Sequence, residues 1–189
     1  TRNAPSRAPQ RPRASRYAPR APTVLPRPIS PRAHVVAAST TTLVGPDLPP
    51  RPDGLYGVSK VAGEALGRLY ADKFGLEVAC LRIGTFETGP EDLRGLSTWL
   101  SPADCLRAFL AAMTAPDLGY SVFYAVSRNT RRWWDLASGG RLGFEPVDDA
   151  EAVLAADPAA ADGRFDGTMT GPQGGRFAAP EYTLDRQRS

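Results

Sequence analysis

A chain of 189 residues, 42% of them hydrophobic, is long enough to fold as one domain with its own core, and its formal net charge at pH 7 is +3. The eight arginines of residues 1–33 lie in a stretch without acidic residues, so residues 34–189 carry a net charge of −5. The mildly acidic net charge of residues 34–189 argues against a nucleic-acid-binding fold. The lack of a long apolar run argues against a membrane span. His34 is the one histidine of the sequence, so a metal cluster built from histidines is excluded.

Residues 1–33 are expected to form a disordered arginine- and proline-rich arm, because eight prolines exclude a helix or a central strand. Repeated PxxP steps leave a second interpretation open, a ligand for a partner protein. From residue 34 the pattern changes, and "HVVAAST" predicts a short buried strand that ends in hydroxyl side chains. The following "VGPDLPPRPDG" predicts a loop.

A long helix is predicted over residues 56–74 and a buried strand over residues 76–84. Apolar side chains recur at helical spacing through the first of these, at Val61, Ala62, Ala65, Leu66, Leu69, Tyr70 and Phe74. Glu64 and Arg68 are four residues apart, which predicts an ion pair on the outer face of the helix. Gly75 is typical of a helix end, and "LEVACLRIG" is typical of a buried strand.

A second helix is predicted over residues 101–115, with Ser101 as its N-cap and an apolar face formed by Cys105, Leu106, Phe109, Leu110 and Met113. A strand over residues 120–127 and a short helix in "RRWWDLASGGRLGFEP" follow, and Trp99, Trp133 and Trp134 are interpreted as packing residues. Residues 157–189 are expected to be a flexible tail. The alternation of helices and buried strands in residues 34–156 indicates an α/β fold with a parallel sheet.

The two cysteines, Cys80 and Cys105, have apolar neighbours and no CxxC spacing. This pattern predicts buried free thiols rather than a disulfide framework. Free thiols in turn favour a reducing compartment, and we expect a cytoplasmic protein.

Tyr56 and Lys60 stand one helical turn apart at the start of the long helix, which places them on one face. An ammonium beside a phenol favours the phenolate, so the tyrosine can exchange a proton near neutral pH while a hydride leaves the adjacent carbon. A YxxxK pair also occurs by chance on ordinary helices. Its position, after a loop and before a buried strand, favours the catalytic interpretation.

The stretch "LYGVSKVAGEALGRLYADKFGLEVACLRIGTF" resembles the active-site helix and following strand of extended short-chain dehydrogenases/reductases, the NAD-dependent epimerase/dehydratase family. Within that family the chain is most similar to the uronate (hexuronate) dehydrogenase group. "GPDLPPRPDGLYGVSK", "RIGTF", "LRGLSTWLS", "NTRRWW" and "LGFEP" follow in the order and spacing of that group. The resemblance covers residues 43–155.

This resemblance implies the C-terminal part of a Rossmann-like, doubly wound parallel sheet and a specific set of roles. Tyr56 would be the catalytic acid/base, and Lys60 its partner and a ribose ligand of NAD. Gly84 and Thr85 would lie near the nicotinamide and the sugar, and Arg94 would bind the substrate carboxylate. The implied reaction oxidises C1 of a hexuronate, a small sugar acid, to an aldarolactone, with no metal site.

Three parts of the family's machinery are not evident in the sequence. The first glycine is Gly45, so no glycine-rich pyrophosphate-binding turn precedes the Tyr-Lys helix, and the acidic residue that would discriminate NAD from NADP is missing too. The catalytic serine has one candidate, Ser39, which lies closer to Tyr56 than the family spacing requires. We interpret the chain as a C-terminal portion whose first forty or so residues were translated out of frame.

Three functions therefore remain open from the sequence. The first is a uronate-type dehydrogenase that is weakly active or inactive in this form, and the second is a nucleotide-sugar epimerase or dehydratase of the same superfamily. The third is a non-catalytic remnant or interaction module. The resemblance also implies a homodimer of the intact enzyme, paired through the helices near residues 56–74 and 101–115.

Overall fold

A computed structural model describes residues 23–26, 43–52, 54–157 and 163–166 of the chain. The strands are β1 (Thr23–Pro26), β2 (Val78–Ile83), β3 (Thr85–Phe86), β4 (Trp99–Leu100) and β5 (Tyr120–Ala125). The helices are α1 (Leu55–Phe74), α2 (Gly95–Thr98), α3 (Pro102–Thr114), α4 (Ala137–Gly140) and α5 (Ala150–Ala156). One turn of 3₁₀-helix covers Gly163–Phe165.

The main sheet in the described part of the chain is parallel, with the strand order β1-β2-β5. Val78 of β2 pairs with Tyr120 of β5, and the two strands stay in register to Ile83 and Ala125. The short strands β3 and β4 pair in parallel just beyond the end of β2. The predicted α/β architecture and the predicted positions of α1, β2, α3 and β5 are confirmed.

Residues 23–26 correct one expectation from the sequence. They were expected to belong to a disordered arm, but they form β1 and pair with β2 in parallel. The physical reason is that β1 is an edge strand of the described sheet, and an edge tolerates a proline that a central strand excludes. The rest of the arm and the strand predicted at "HVVAAST" lie outside the described residues.

The helix α3 covers one face of the sheet. Its Ala108, Ala111 and Ala112 pack in one buried core cluster with Ala79 and Leu81 of β2. Only part of the predicted apolar face packs against the sheet, and three of its side chains, Leu106, Leu110 and Met113, are exposed. Small alanine side chains instead bring the helix close to the strands.

The helix α1 covers the opposite face, because its Glu64 bonds to Arg82, and successive side chains of a strand alternate between faces. The predicted outer ion pair of Glu64 with Arg68 is therefore wrong. Glu64 is buried against the sheet, and Arg68 pairs with Asp72 at 2.9 Å on the solvent side. Helices on both faces make the sheet doubly wound, as the sequence predicted.

The helix ends follow the predicted signals. Gly75 ends α1 with φ of 64°, a left-handed conformation that glycine adopts without strain, and its N–H bonds to the carbonyl of Ala71. The hydroxyl of Ser101 accepts a hydrogen bond from the N–H of Asp104 at 2.9 Å and so caps α3, a contact that contributes about 1 kcal/mol.

The C-terminal prediction needs a second correction. Residues 163–165 belong to the region expected to be a flexible tail, but they form a 3₁₀ turn, and Phe165 is buried with Leu96, Trp99 and Ala150. Burial of one phenylalanine ring, about 1.5–3 kcal/mol, holds this turn on the domain.

Both cysteines are free thiols, as predicted. Burial raises the pKa of Cys80 to about 11, and burial also raises the pKa of Cys105. Each thiol is therefore protonated at neutral pH and acts as a small packing group.

Candidate functional site

Tyr56 and Lys60 lie in the first turns of α1, as predicted from their spacing. The Lys60 Nζ lies 4.8 Å from the centre of the Tyr56 ring. The tyrosine side chain is open to solvent, with 56% of its surface exposed, so a ligand can reach the phenol. Ser59 donates a hydrogen bond to the Tyr56 carbonyl and orders the same turn.

The direction of α1 along the sheet follows from two contacts. The Arg68 guanidinium lies over the ring of Tyr120, the first residue of β5, and Glu64 bonds to Arg82 near the end of β2. The helix therefore runs antiparallel to the strands. Tyr56, eight residues before Glu64, lies about 12 Å further along, which brings it to the carboxyl edge of the sheet.

At this edge the chain leaves β2 through Gly84. A Cβ at this position would stand 2.0 Å from the Thr98 carbonyl oxygen and 2.5 Å from the Cγ1 of Val126. The backbone around β3 and β4 can pack this closely only because residue 84 has no side chain. Gly84 therefore sets the path of the next residue, Thr85.

Thr85 belongs to a compact polar cluster with Arg94 and Thr98. The Arg94 Nη1 donates to the Thr85 hydroxyl at 2.9 Å and to the Thr98 hydroxyl at 3.3 Å. The two hydroxyl oxygens are 2.8 Å apart, and the Thr98 hydroxyl also donates to the Arg94 carbonyl at 3.1 Å. The sequence predicted Arg94 and Thr85 but missed Thr98, whose only signal is its position four residues after Arg94.

Burial lowers the pKa of Arg94 from its usual value, an effect that nearby Asp92 partly offsets. An arginine stays protonated at any physiological pH, so the cluster presents a partly desolvated positive charge. Such a charge binds an anion more strongly than a fully hydrated one does, and the guanidinium fork matches a carboxylate in shape.

The loops that surround the cluster are tied together by Asn129, a second residue that the sequence analysis missed. Its side-chain amide donates to the Trp99 carbonyl at 2.8 Å and accepts from the Ala150 N–H at 3.1 Å. Asn129 is fully buried, and it joins the first residue of β4 and the segment after β5 to the start of α5. Its signal in the sequence is the "NTRRWW" stretch, which also supplies buried Trp134.

The tryptophans pack as predicted. Trp99 is buried and donates to the Glu87 carbonyl at 2.9 Å, and Trp134 stacks on Tyr124 with ring centres 5.0 Å apart. Among the described residues, two buried nitrogens, Nε1 of Trp133 and Nε of Arg132, have no hydrogen-bond partner.

The remaining sequence predictions have these outcomes. Ser39 lies outside the described residues, so its place relative to Tyr56 stays a prediction. Within the described ranges, no group of three or more potential metal ligands comes together. In the same ranges no helix has the length and apolar character of a membrane span.

No protein-family model matches the chain. It is 50% identical over 112 residues to a uronate dehydrogenase of Agrobacterium fabrum, an alignment that covers 59% of this chain and 42% of that enzyme. The chain therefore spans about half the length of the curated relatives it matches.

Two solved structures of such dehydrogenases have a similar fold. The glucuronic acid dehydrogenase of Chromohalobacter salexigens matches with a TM-score of 0.69 and 35% identity, covering 82% of this chain and 57% of that one. The uronate dehydrogenase of Agrobacterium tumefaciens matches with a TM-score of 0.64 and 42% identity, over 73% of this chain and 52% of that one. A mutant of the latter enzyme has been solved in complex with NAD.

Proposed function

We propose, from the premise that this chain is a homologue of the uronate dehydrogenases over about half of their length, that it carries the catalytic portion of an NAD-dependent oxidoreductase. Its reaction would oxidise C1 of a hexuronate to an aldarolactone. One observation carries the proposal: the Lys60 ammonium lies against the exposed Tyr56 ring at the carboxyl edge of a doubly wound sheet. Ligands of such sheets bind at this edge.

Tyr56 would accept the proton of the C1 hydroxyl while the C1 hydrogen leaves with its electron pair and the C1–O bond becomes a carbonyl. Lys60 would stabilise the negative charge of the phenolate through its ammonium. NAD supplies the hydride acceptor when it is bound. The exposed phenol fits this role, because it can touch a substrate without a rearrangement of α1.

Four residues would hold the nicotinamide end of NAD: Tyr56, Lys60, Gly84 and Thr85. The donors fit a ribose, since the Lys60 ammonium and the Tyr56 hydroxyl sit at one helix start. No glycine precedes Gly45 in the chain, so it offers no glycine-rich turn for the pyrophosphate before α1. We therefore expect this chain to bind NAD weakly and to turn over slowly.

Arg94 would bind the carboxylate of the substrate and so select sugar acids over neutral sugars. The support is the partly desolvated guanidinium, held by Thr85 and Thr98 beyond the end of β2. Ser39 would assist Tyr56 as the hydroxyl that binds the substrate oxygen. Residues 34–156 would thus form the C-terminal part of an NAD-binding domain.

A substrate panel tests the proposed function. The purified chain is incubated with saturating NAD and with galacturonate, glucuronate, galactose or glucose, and NADH absorbance is followed. We expect slow NADH formation with the two hexuronates, at least tenfold faster than with the neutral hexoses, since only the acids offer Arg94 a carboxylate.

The same panel separates the proposed dehydrogenase from both alternatives. An epimerase returns the hydride and yields no net NADH, and a non-catalytic module yields none with any sugar. Equal rates with hexoses and hexuronates would contradict the assignment of the substrate class.

A homodimer is proposed through α1. This helix exposes an apolar stripe that includes Leu66, Leu69, Tyr70 and Phe74. The helices α1 and α3 cover opposite faces of the sheet, and we place the interface on α1 because it carries the longer exposed apolar stripe. The protein is proposed to be cytoplasmic, because Cys80 and Cys105 are free thiols, which suit a reducing compartment.

Replacing both Leu66 and Leu69 with lysine is expected to convert a dimer into a monomer, because two charges cannot be buried in an apolar contact without partners. Sedimentation velocity measures the change. Leu106→Lys, on the exposed side of α3, is the matched control and should leave the dimer intact. Monomeric wild-type protein would contradict the proposal.

A further inference from the structure

Thr98 occupies a position that the reaction itself does not explain. The residue is completely buried, and its hydroxyl contacts both the guanidinium and the backbone carbonyl of Arg94. A buried hydroxyl has one proton to donate and can accept from two donors. The Thr98 hydroxyl uses both kinds of bond with Arg94, since it donates to the carbonyl and accepts from the guanidinium.

The Thr98 hydroxyl has polar neighbours on Arg94 and on Thr85. It donates to the Arg94 carbonyl at 3.1 Å, and it lies 2.8 Å from the Thr85 hydroxyl in a hydrogen bond that either oxygen can donate. The Thr98 oxygen also accepts from the Arg94 Nη1 at 3.3 Å. Thr85 in turn accepts from the same Nη1 at 2.9 Å.

The result is a closed ring of hydrogen bonds that joins the Arg94 side chain to its own backbone through Thr98. Thr85 and Thr98 contribute neutral hydroxyls to this ring. The charge that could bind a carboxylate therefore lies on Arg94, and its orientation depends on Thr98.

We propose that Thr98 is a positioning residue that fixes the Arg94 guanidinium for the carboxylate of a sugar acid and thereby sets acid-over-neutral substrate selectivity. This inference rests on the proposed function. The energetic basis is the loss of a hydrogen bond to a charged group, which corresponds to about a tenfold to hundredfold change in binding. The conformational freedom regained by the long arginine side chain acts in the same direction.

Thr98→Val removes the hydroxyl and keeps the shape of the side chain. In the full 189-residue chain with NAD present, we expect the KM for galacturonate to rise at least tenfold, with kcat changed less than threefold. The kcat/KM for galactose should stay unchanged, so that selectivity falls at least tenfold. Thr98→Ser, which restores the hydroxyl, should recover galacturonate KM to within about threefold of the wild-type value.

Thr114→Val is the matched control, because the Thr114 hydroxyl also donates to a carbonyl four residues earlier, at 2.8 Å, but in an exposed position at the end of α3. It should leave every constant unchanged. Equal galacturonate KM in wild type and Thr98→Val, or a parallel loss for galactose, would overturn the inference alone. A wild-type chain that neither binds nor oxidises hexuronates would overturn the proposed function, and this inference with it.

Discussion

Replacing Tyr56 with phenylalanine is expected to lower hexuronate-dependent NADH formation by about 10²–10⁴-fold, the usual range for loss of a positioned acid/base group. The change removes only the phenol oxygen. The ring that Lys60 contacts at 4.8 Å stays in place, so the ammonium keeps its cation–π partner and its position on α1. Initial rates at saturating galacturonate and NAD give the measurement.

NAD affinity provides the necessary control for Tyr56→Phe. Fluorescence titration should show a change of no more than a few-fold, because Lys60 remains to bind the ribose. Tyr70→Phe is the matched variant, since Tyr70 is an exposed tyrosine on the same helix, away from the carboxyl edge. A Tyr56→Phe protein that keeps more than a tenth of the wild-type rate would exclude Tyr56 as the acid/base.

The fold was largely predictable because local signals and the strand pattern agree. Ser101, Pro102 and Gly75 mark helix ends by mechanisms that act within one turn, and β2 and β5 are mainly apolar runs of strand length. The Tyr56–Lys60 contact was also predictable, since helical geometry alone brings residues four apart together.

The sequence could not show which face of α1 is buried. Periodicity favoured the apolar side, yet much of that stripe is exposed, and the buried residues are Gly57, Glu64 and Gly67. Glu64 turns inward because its carboxylate pairs with Arg82 of β2. The two residues are 18 positions apart, so no short sequence pattern indicates the pair. Thr98 was missed for the same reason, because its function depends on contacts that only the folded chain creates.

The buried pair of Glu64 and Arg82 carries the second large prediction. Arg82 donates to both carboxylate oxygens of Glu64, at 2.9 and 3.0 Å, and its side chain is 3% exposed. A further bond from Arg82 reaches the Pro46 carbonyl at 3.1 Å and so holds the segment before α1. Burial alone would lower the pKa of Arg82, but the hydrogen bonds and charge of Glu64 raise it overall.

Replacing Glu64 with leucine is therefore expected to lower the free energy of unfolding by about 3–5 kcal/mol, because the buried charge of Arg82 then has no counter-charge. Urea denaturation measures the loss. Arg68→Ala, which breaks the exposed ion pair with Asp72 on the same helix, should leave the urea midpoint almost unchanged.

The double replacement Glu64→Leu with Arg82→Met tests whether that loss of stability comes from an unpaired charge or from packing. Removing both charges leaves no unpaired charge at this place in the core, so most of the stability should return, although the bond from Arg82 to the Pro46 carbonyl is lost. If the double variant is as unstable as Glu64→Leu alone, the cost lies in packing rather than in an unpaired charge. Because the pair also fixes the rotation of the helix that presents Tyr56 and Lys60, a refolded double variant should still turn over hexuronate more slowly than wild type.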